Sequence, residues 1–361
     1  MDVSGYFQSS ELIRQPPVLR AAFSDRTAWI LAELSRLVYE KLPKEIRIDE
    51  LVQEIIKAAN SSNGPALVRE LVAQSQQRGN QVSEEFEATL LRAEIELIES
   101  YSSSDLLADS QAILVRLGKN ELPKSQQMLI LAFRGTEVTK ISDIASDLRV
   151  SLVDAPGDGG GRIHKGFLHA YKLLEKPIKQ TLARYPDLPL YITGHSLGAA
   201  LALVATRYLG NDSTGACYTF GGPRAADDEF YKKIKTPIYR IVNTSDGVAR
   251  IPLGYSLGLI ISIIQLIPFN GTLWVAKWLR RQVLGYCHPG SLIYLSNAEN
   301  VQDNDGIPYV GLQVVPSPDP AWQFKDVIQR FISTAGKSVV LDHDISIYAN
   351  KLRANALRNN R

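Results

Sequence analysis

Residues 188–209 read LPLYITGHSLGAALALVATRYL, and the organisation of the chain follows from them. The apolar run up to Thr193 predicts a strand, and the strong helix formers from Leu197 to Val204 predict a helix that starts at once. Between them lies Gly194-His195-Ser196-Leu197-Gly198, a G-x-S-x-G pattern. As a bare pattern it recurs by chance about once in ten chains of this length. Its setting makes it specific. A sharp strand-to-helix turn leaves no room for side chains two residues either side of the serine, so glycine fills both places. The turn also lifts the Ser196 hydroxyl over the sheet edge, at the positive end of the helix dipole. Ser196 is therefore the candidate nucleophile.

Outward from this turn, short β-rich runs alternate with helical ones. The strands expected are AILVRL (112–117), MLILAF (128–133), ACYTF (216–220) and IYRIV (238–242), with SLIYLS (291–296) and YVGLQVV (309–315) as extensions. Helical period fills 165–185, 197–209 and 226–234, and two more helices cover 320–333 and 344–357. Such alternation predicts an α/β domain with a mostly parallel central sheet and helices on both faces. Before residue 106 the texture is helical, over 27–41, 48–56, 65–76 and 83–99 with polar turns between. The expected organisation is a helical N-terminal extension over 1–105 followed by the α/β domain over 106–361.

The composition fits an ordinary globular chain: 361 residues, 45% hydrophobic and 22% charged. A net charge of +2 gives no global field for nucleic acid, so no nucleic-acid partner is expected. Two cysteines, Cys217 and Cys287, allow at most one disulfide and form no metal-ligand cluster with histidine. The first 25 residues hold no apolar run of signal-peptide length. The expected setting is reducing and cytoplasmic, with no signal peptide or transmembrane segment, and no metal or cofactor is called for.

A serine hydroxyl becomes a good nucleophile when a histidine takes its proton, and the histidine needs a carboxylate to fix its tautomer. At a turn of this kind the chain order is Ser, acid, His, which leaves His288 and His343 of the five histidines. Catalytic loops must leave the carboxyl edge of the parallel strands. His288 just precedes SLIYLS and so falls at the opposite edge, whereas His343 lies between Val339-Val340-Leu341 and the final helix. His343 is the favoured base and His288 the runner-up. Asp246, a short turn beyond IYRIV, is the favoured acid; Asp227 and Asp228 read as first-turn residues of a helix, and Asp342 and Asp344 as a helix N-cap pair. For the oxyanion, one donor is the Leu197 amide. The second is Thr136 in AFRGTE (132–137), which offers its amide and its hydroxyl together at the end of an early strand.

Together the segments FRGTE, DIASDL, HKGFLHAY, ITGHSLGAALA, FGGPRAAD, RIVNTSDGVARIP, YCHPGSLIYL and LDHDISIY resemble the class 3 lipases, in that family's order and over most of residues 106–350. The resemblance implies an α/β-hydrolase fold and hydrolysis of lipid esters through an acyl-enzyme. It assigns the oxyanion role to Thr136, the nucleophile to Ser196, the acid to Asp246 and the base to His343, and gives the segment holding His288 no catalytic role. Two departures, Ile144 where a Trp is common and Ala249 where a Pro is frequent, bear on lid contacts and not on the triad.

Between Pro252 and His288 lies an apolar insert, about 254–285, longer than is typical of the family. Leu257 to Ile267 has eight Leu or Ile in eleven positions, among them Leu257, Ile260 and Ile264. That is too short for a membrane span, which takes roughly 20 residues. Trp274 and Trp278 stand one turn apart beside Lys277, Arg280 and Arg281, a pattern that suits a helix lying in a lipid interface and equally a cap over the active site. Either use favours a lipid ester as substrate, with peripheral contact at a membrane or lipid-droplet surface. Two alternatives stand beside a triacylglycerol lipase: a phospholipase A or galactolipase, and a non-catalytic lipid-binding or regulatory protein on the same fold.

Overall fold

The computed structural model describes residues 5–13, 22–40, 55–60, 63–104, 109–118, 122–123, 126–135, 152–157, 160–210, 215–250 and 285–360, with 72–83, 104 and 109 described through their backbone alone. Among them, one sheet has the order β1-β2-β3-β6-β7-β8-β9-β10. Its centre is β3 (Met128–Phe133), β6 (Leu190–His195), β7 (Cys217–Phe220), β8 (Ile238–Asn243) and β9 (Ser291–Leu295), all mutually parallel. Antiparallel strands flank it: β1 (Ile95–Ser104) and β2 (Asp109–Leu117) on one side, β10 (Val314–Pro316) on the other. A separate antiparallel pair joins β4 (Leu152–Asp154) to β5 (Arg162–His164).

The side chains of each strand alternate between the two faces, and each face has its own core. Ile130, Ala132, Tyr191, Tyr218 and Phe220 pack with helices α2 (Asp25–Leu37) and α9 (Ile345–Asn359). Leu129, Leu131, Phe133, Ile192 and Cys217 pack with α4 (Lys165–Leu182) and α5 (Leu197–Leu209). The remaining helices are α1 (Ser10–Ile13), α3 (Gly64–Arg92), α6 (Asp228–Tyr231), α7 (Pro320–Ser333) and α8 (Ser338–Leu341). A mostly parallel sheet between two helical layers, with a serine at the turn from its central strand β6 into α5, is the α/β-hydrolase fold.

Several local expectations differ from what forms. The helix expected over 83–99 ends at Arg92, Glu94 takes φ 56, and Ile95 starts β1. IELIE suits a helix locally, but pairing with β2 and full burial of Ile95 override that preference. Ten residues of the stretch expected to be a helical extension, Ile95–Ser104, are therefore a strand of the main sheet. The polar turn expected at 77–82 is absent, because α3 runs unbroken from Gly64 to Arg92; one glycine inside a helix costs only about 1 kcal/mol. Of YVGLQVV, only Val314 and Val315 pair in a strand, and the apolar residues before His343 form the short helix α8.

Candidate active site

The elbow forms at the end of β6. Ser196 takes φ 57 and ψ −129, a backbone conformation costly for a residue with a Cβ. The Ser196 N–H donates to Phe220 O at 3.1 Å, which ties this turn to the neighbouring strand. A Cβ at Gly194 would strike the Gly198 backbone, and one at Gly198 would stand 2.5 Å from Phe133 O and 2.8 Å from Gly135 N. Both glycines of the pentapeptide are thus required by close backbone approach. Ser196 is 2% exposed, and its Oγ makes no hydrogen bond among the described residues. Leu197 opens α5, whose first-turn N–H groups have no intrahelical acceptors.

The acid and the favoured base meet 97 residues apart in sequence. Both carboxylate oxygens of Asp246 lie 3.0 Å from His343 Nδ1. Asp246 is fully buried, and each of its oxygens has a further donor. Oδ1 accepts from the Val248 N–H at 2.9 Å, and Oδ2 accepts from the Tyr348 hydroxyl at 2.5 Å. Burial, with Asp246 alongside, pushes the Tyr348 hydroxyl well above its ordinary pKa, so it stays a donor. That hydroxyl also accepts from the Asn243 N–H at 2.9 Å, which fixes it from β8. Gly221 passes beside the pair with φ 56, and a Cβ there would collide with Asp246 Oδ2.

His195, in the variable position of the elbow, is fully involved. Its Nε2 lies 2.7 Å from His343 O, and its Nδ1 lies 3.0 Å from the Tyr39 hydroxyl. A carbonyl only accepts, so Nε2 carries the proton and Nδ1 accepts from Tyr39. Burial, with His343 nearby, drives the His195 pKa well below 6.5, so the ring stays neutral. Its ring packs on His343 at 4.5 Å between centroids. The residue next to Ser196 therefore holds the backbone and ring of His343, and is itself anchored by a tyrosine just beyond α2.

The other candidates fall elsewhere. His288 Nε2 lies 2.8 Å from Ala249 O, and the histidine faces a small cavity with Arg224, Arg240 and Arg250. Asp227 caps α6 and pairs with Arg162 at 3.2 Å. Of the expected N-cap pair, only Asp344 caps α9; Asp342 instead accepts from Arg330 at 2.9 Å and from the Ser245 N–H at 3.1 Å. Thr136, Ile144, Leu257, Ile260, Ile264, Trp274 and Trp278 lie outside the described residues. Sequence reasoning did not single out Tyr39 or Tyr348 as individual contributors. Tyr348 lay in sight within LDHDISIY, whereas nothing local marks Tyr39.

Residues 130–256 match the family described as "Lipase (class 3)". The Rhizomucor miehei lipase is 29% identical over 172 residues, 44% of this chain and 45% of that protein. A secreted mono- and diacylglycerol lipase of Fusarium solani is 35% identical over 101 residues, 26% of this chain and 30% of that protein. The chain spans less than half the length of these relatives. The crystal structure of the Rhizopus microsporus var. chinensis lipase superposes with a TM-score of 0.42 at 23% identity, over 69% of this chain and 74% of that one. The matched span contains Gly194, Ser196, Gly198 and Asp246, and over that span the chain is similar to the class 3 lipases.

Proposed function

We propose that the chain is a serine hydrolase that cleaves carboxylic esters of lipids by way of an acyl-enzyme. The observation that carries this reading is the buried Asp246 held on His343 Nδ1 at 3.0 Å, with the His343 ring packed at 4.5 Å on that of His195, the neighbour of Ser196. With Nδ1–H directed at Asp246, His343 Nε2 is the free base. The Ser196 Oγ attacks the ester carbonyl while its proton passes to His343 Nε2. The tetrahedral oxyanion forms against the Leu197 N–H, with Thr136 as the second donor by resemblance. As the C–O bond breaks, His343 returns the proton to the departing alcohol. Water then attacks the acyl-Ser196 ester, again giving its proton to His343, and the carboxylic acid leaves as the serine is reprotonated.

A lipid substrate is supported by the class 3 lipase match and by the apolar insert over 254–285, read as a lid, cap or interfacial anchor at a membrane or lipid-droplet surface. No described helix is long and apolar enough to cross a membrane. The two unpaired cysteines support a reducing, cytoplasmic setting for this peripheral enzyme. The test is hydrolysis of p-nitrophenyl esters from acetyl to palmitoyl, with and without vesicles, together with fluorophosphonate labelling. The expected result is activity that rises with chain length and on vesicles and is lost in Ser196→Ala, and labelling at Ser196 that His343→Ala abolishes. A chain that neither hydrolyses nor labels would support a lipid-binding role instead.

A further inference from the structure

Beyond the hydrolase site, a cavity of about 190 Å3 is lined by Arg224, Arg240, Arg250, His288, Leu292 and Gln323. Three cations converge on it. Arg224 donates to Arg250 O at 2.6 Å and Arg250 donates to Thr244 O at 2.9 Å, so neutral carbonyls hold these two guanidiniums in place. The Arg240 Nε is buried and makes no hydrogen bond among the described residues. Burial and the like charges of Arg224 and Arg250 push Arg240 down to about 10, so it still carries its charge at neutral pH. Among the described residues, none of the groups acting most strongly on it is a carboxylate. The insert that follows Arg250, residues 251–284, contains no Asp or Glu at all. The half-buried Arg240 guanidinium, with its Nε unbonded among the described residues, would be stabilised by an anion in the cavity.

His288 narrows the anion. Its Nε2 lies 2.8 Å from a carbonyl and must donate, and burial beside two arginines drives its pKa well below 6.5. The ring is therefore neutral with a bare Nδ1, which is buried and has no hydrogen-bond partner among the described residues. A bare lone pair repels a fully ionised oxyanion and accepts from one that keeps an O–H. At about 30 Å3 per water, the cavity has room for roughly six waters, enough for one tetrahedral oxyanion. We infer that this cavity is a binding site for a protonated phosphate group, either free hydrogenphosphate or a phosphomonoester headgroup, held by the Arg240 and Arg250 guanidiniums and donating its O–H to His288 Nδ1. Neither Asp246 nor His343 lines the cavity, and its test reads binding, so the proposal stands independently of ester hydrolysis.

The experiment is thermal melting of the full chain titrated with phosphate or with sulfate at matched ionic strength and pH 6.5. Sulfate carries the same tetrahedral shape and no O–H, so it controls for general salting effects. A saturable rise in Tm with phosphate beyond that with sulfate, lost in Arg240→Met, is expected. Equal shifts in the two anions, or a phosphate shift that survives Arg240→Met, would overturn the site. Should Arg240→Met fail to fold, the phosphate-against-sulfate contrast in the unaltered protein decides alone. A second arm sediments the protein with phosphatidylcholine vesicles with and without phosphatidic acid. Capture by phosphatidic acid that free phosphate competes away identifies a headgroup ligand; a phosphate-specific melting shift without such capture identifies the free ion.

Discussion

The two faces of the sheet are covered in different ways. On one face, α5 links the adjacent parallel strands β6 and β7, and α4 packs beside it, so this layer comes from consecutive chain. The other face is closed by α2 and α9, more than 300 residues apart in sequence. Asn355 donates to Asp25 Oδ1 at 2.8 Å, Asn359 to Asp25 Oδ2 at 2.7 Å, and Arg353 to Ser9 at 2.7 Å. The candidate site lies where the two layers meet. Ser196 heads the helix of the local layer, and His343 stands two residues before the helix of the distant one. Local chain shapes the turn at Ser196, while long-range packing brings His343 to Asp246.

The largest effect expected tests that junction directly. Asp246→Asn leaves the packing of both layers in place and removes the carboxylate that fixes the His343 tautomer. Ester hydrolysis should fall about 10^4-fold, roughly 5.5 kcal/mol of transition-state stabilisation, with Tm little changed. A fall of under tenfold would mean that Asp246 does not serve His343.

Next comes the distant layer itself. Trp29, fully buried under α9, should cost about 3–5 kcal/mol when cut to Ala, measured by urea unfolding. A cost under about 1 kcal/mol would show that the N-terminal helix is a loose attachment and would break the comparison of two packed layers.

Glu33 sharpens the same comparison through pH. It is buried in α2 beside Arg36 at 2.9 Å, and burial pushes its carboxyl up from 4.5 to about 7. Between those values the folded state holds a proton that the unfolded state has released, so stability falls as pH rises from about 4.5 to about 7. The loss is about 3 kcal/mol at most. Glu33→Gln should flatten this slope in a Tm-against-pH series, and an unchanged slope would assign it to another group.

The smallest effect concerns the tie between the layers. Tyr39→Phe removes the donor to His195 Nδ1. A drop of about tenfold in kcat, near 1.4 kcal/mol, with KM and Tm held, is expected if His195 positions His343; a matching drop in Tm with unchanged kcat would make the contact structural only.

The same division explains what the sequence disclosed. The elbow was legible because its requirements are local: an apolar strand, two glycines forced by backbone contact and an immediate helix. Asp246 and His343 were found by asking which residues lie at the carboxyl edge of strands, and the structure sets them together. β1 was misread because IELIE fits a helix until its distant partner β2 is present. The Tyr39 contact was invisible for a related reason, since 156 residues separate it from His195. Nor did anything in the spacing of Arg224, Arg240, Arg250 and His288 announce that they share one cavity. Patterns within about twenty residues were readable, and pairings across the chain were readable only where, as for Asp246 and His343, the strand-edge rule linked them.

The placement of His343 also imposes an order in time. Synthesis runs from the N-terminus, so β6, the elbow and Asp246 leave the ribosome well before residue 343, and α9 later still. During that interval the nascent chain carries Ser196 with no His343 to complete the cluster. A site built this way stays unassembled on the ribosome, and is completed only once the far end of the chain has been made and packed against Asp246.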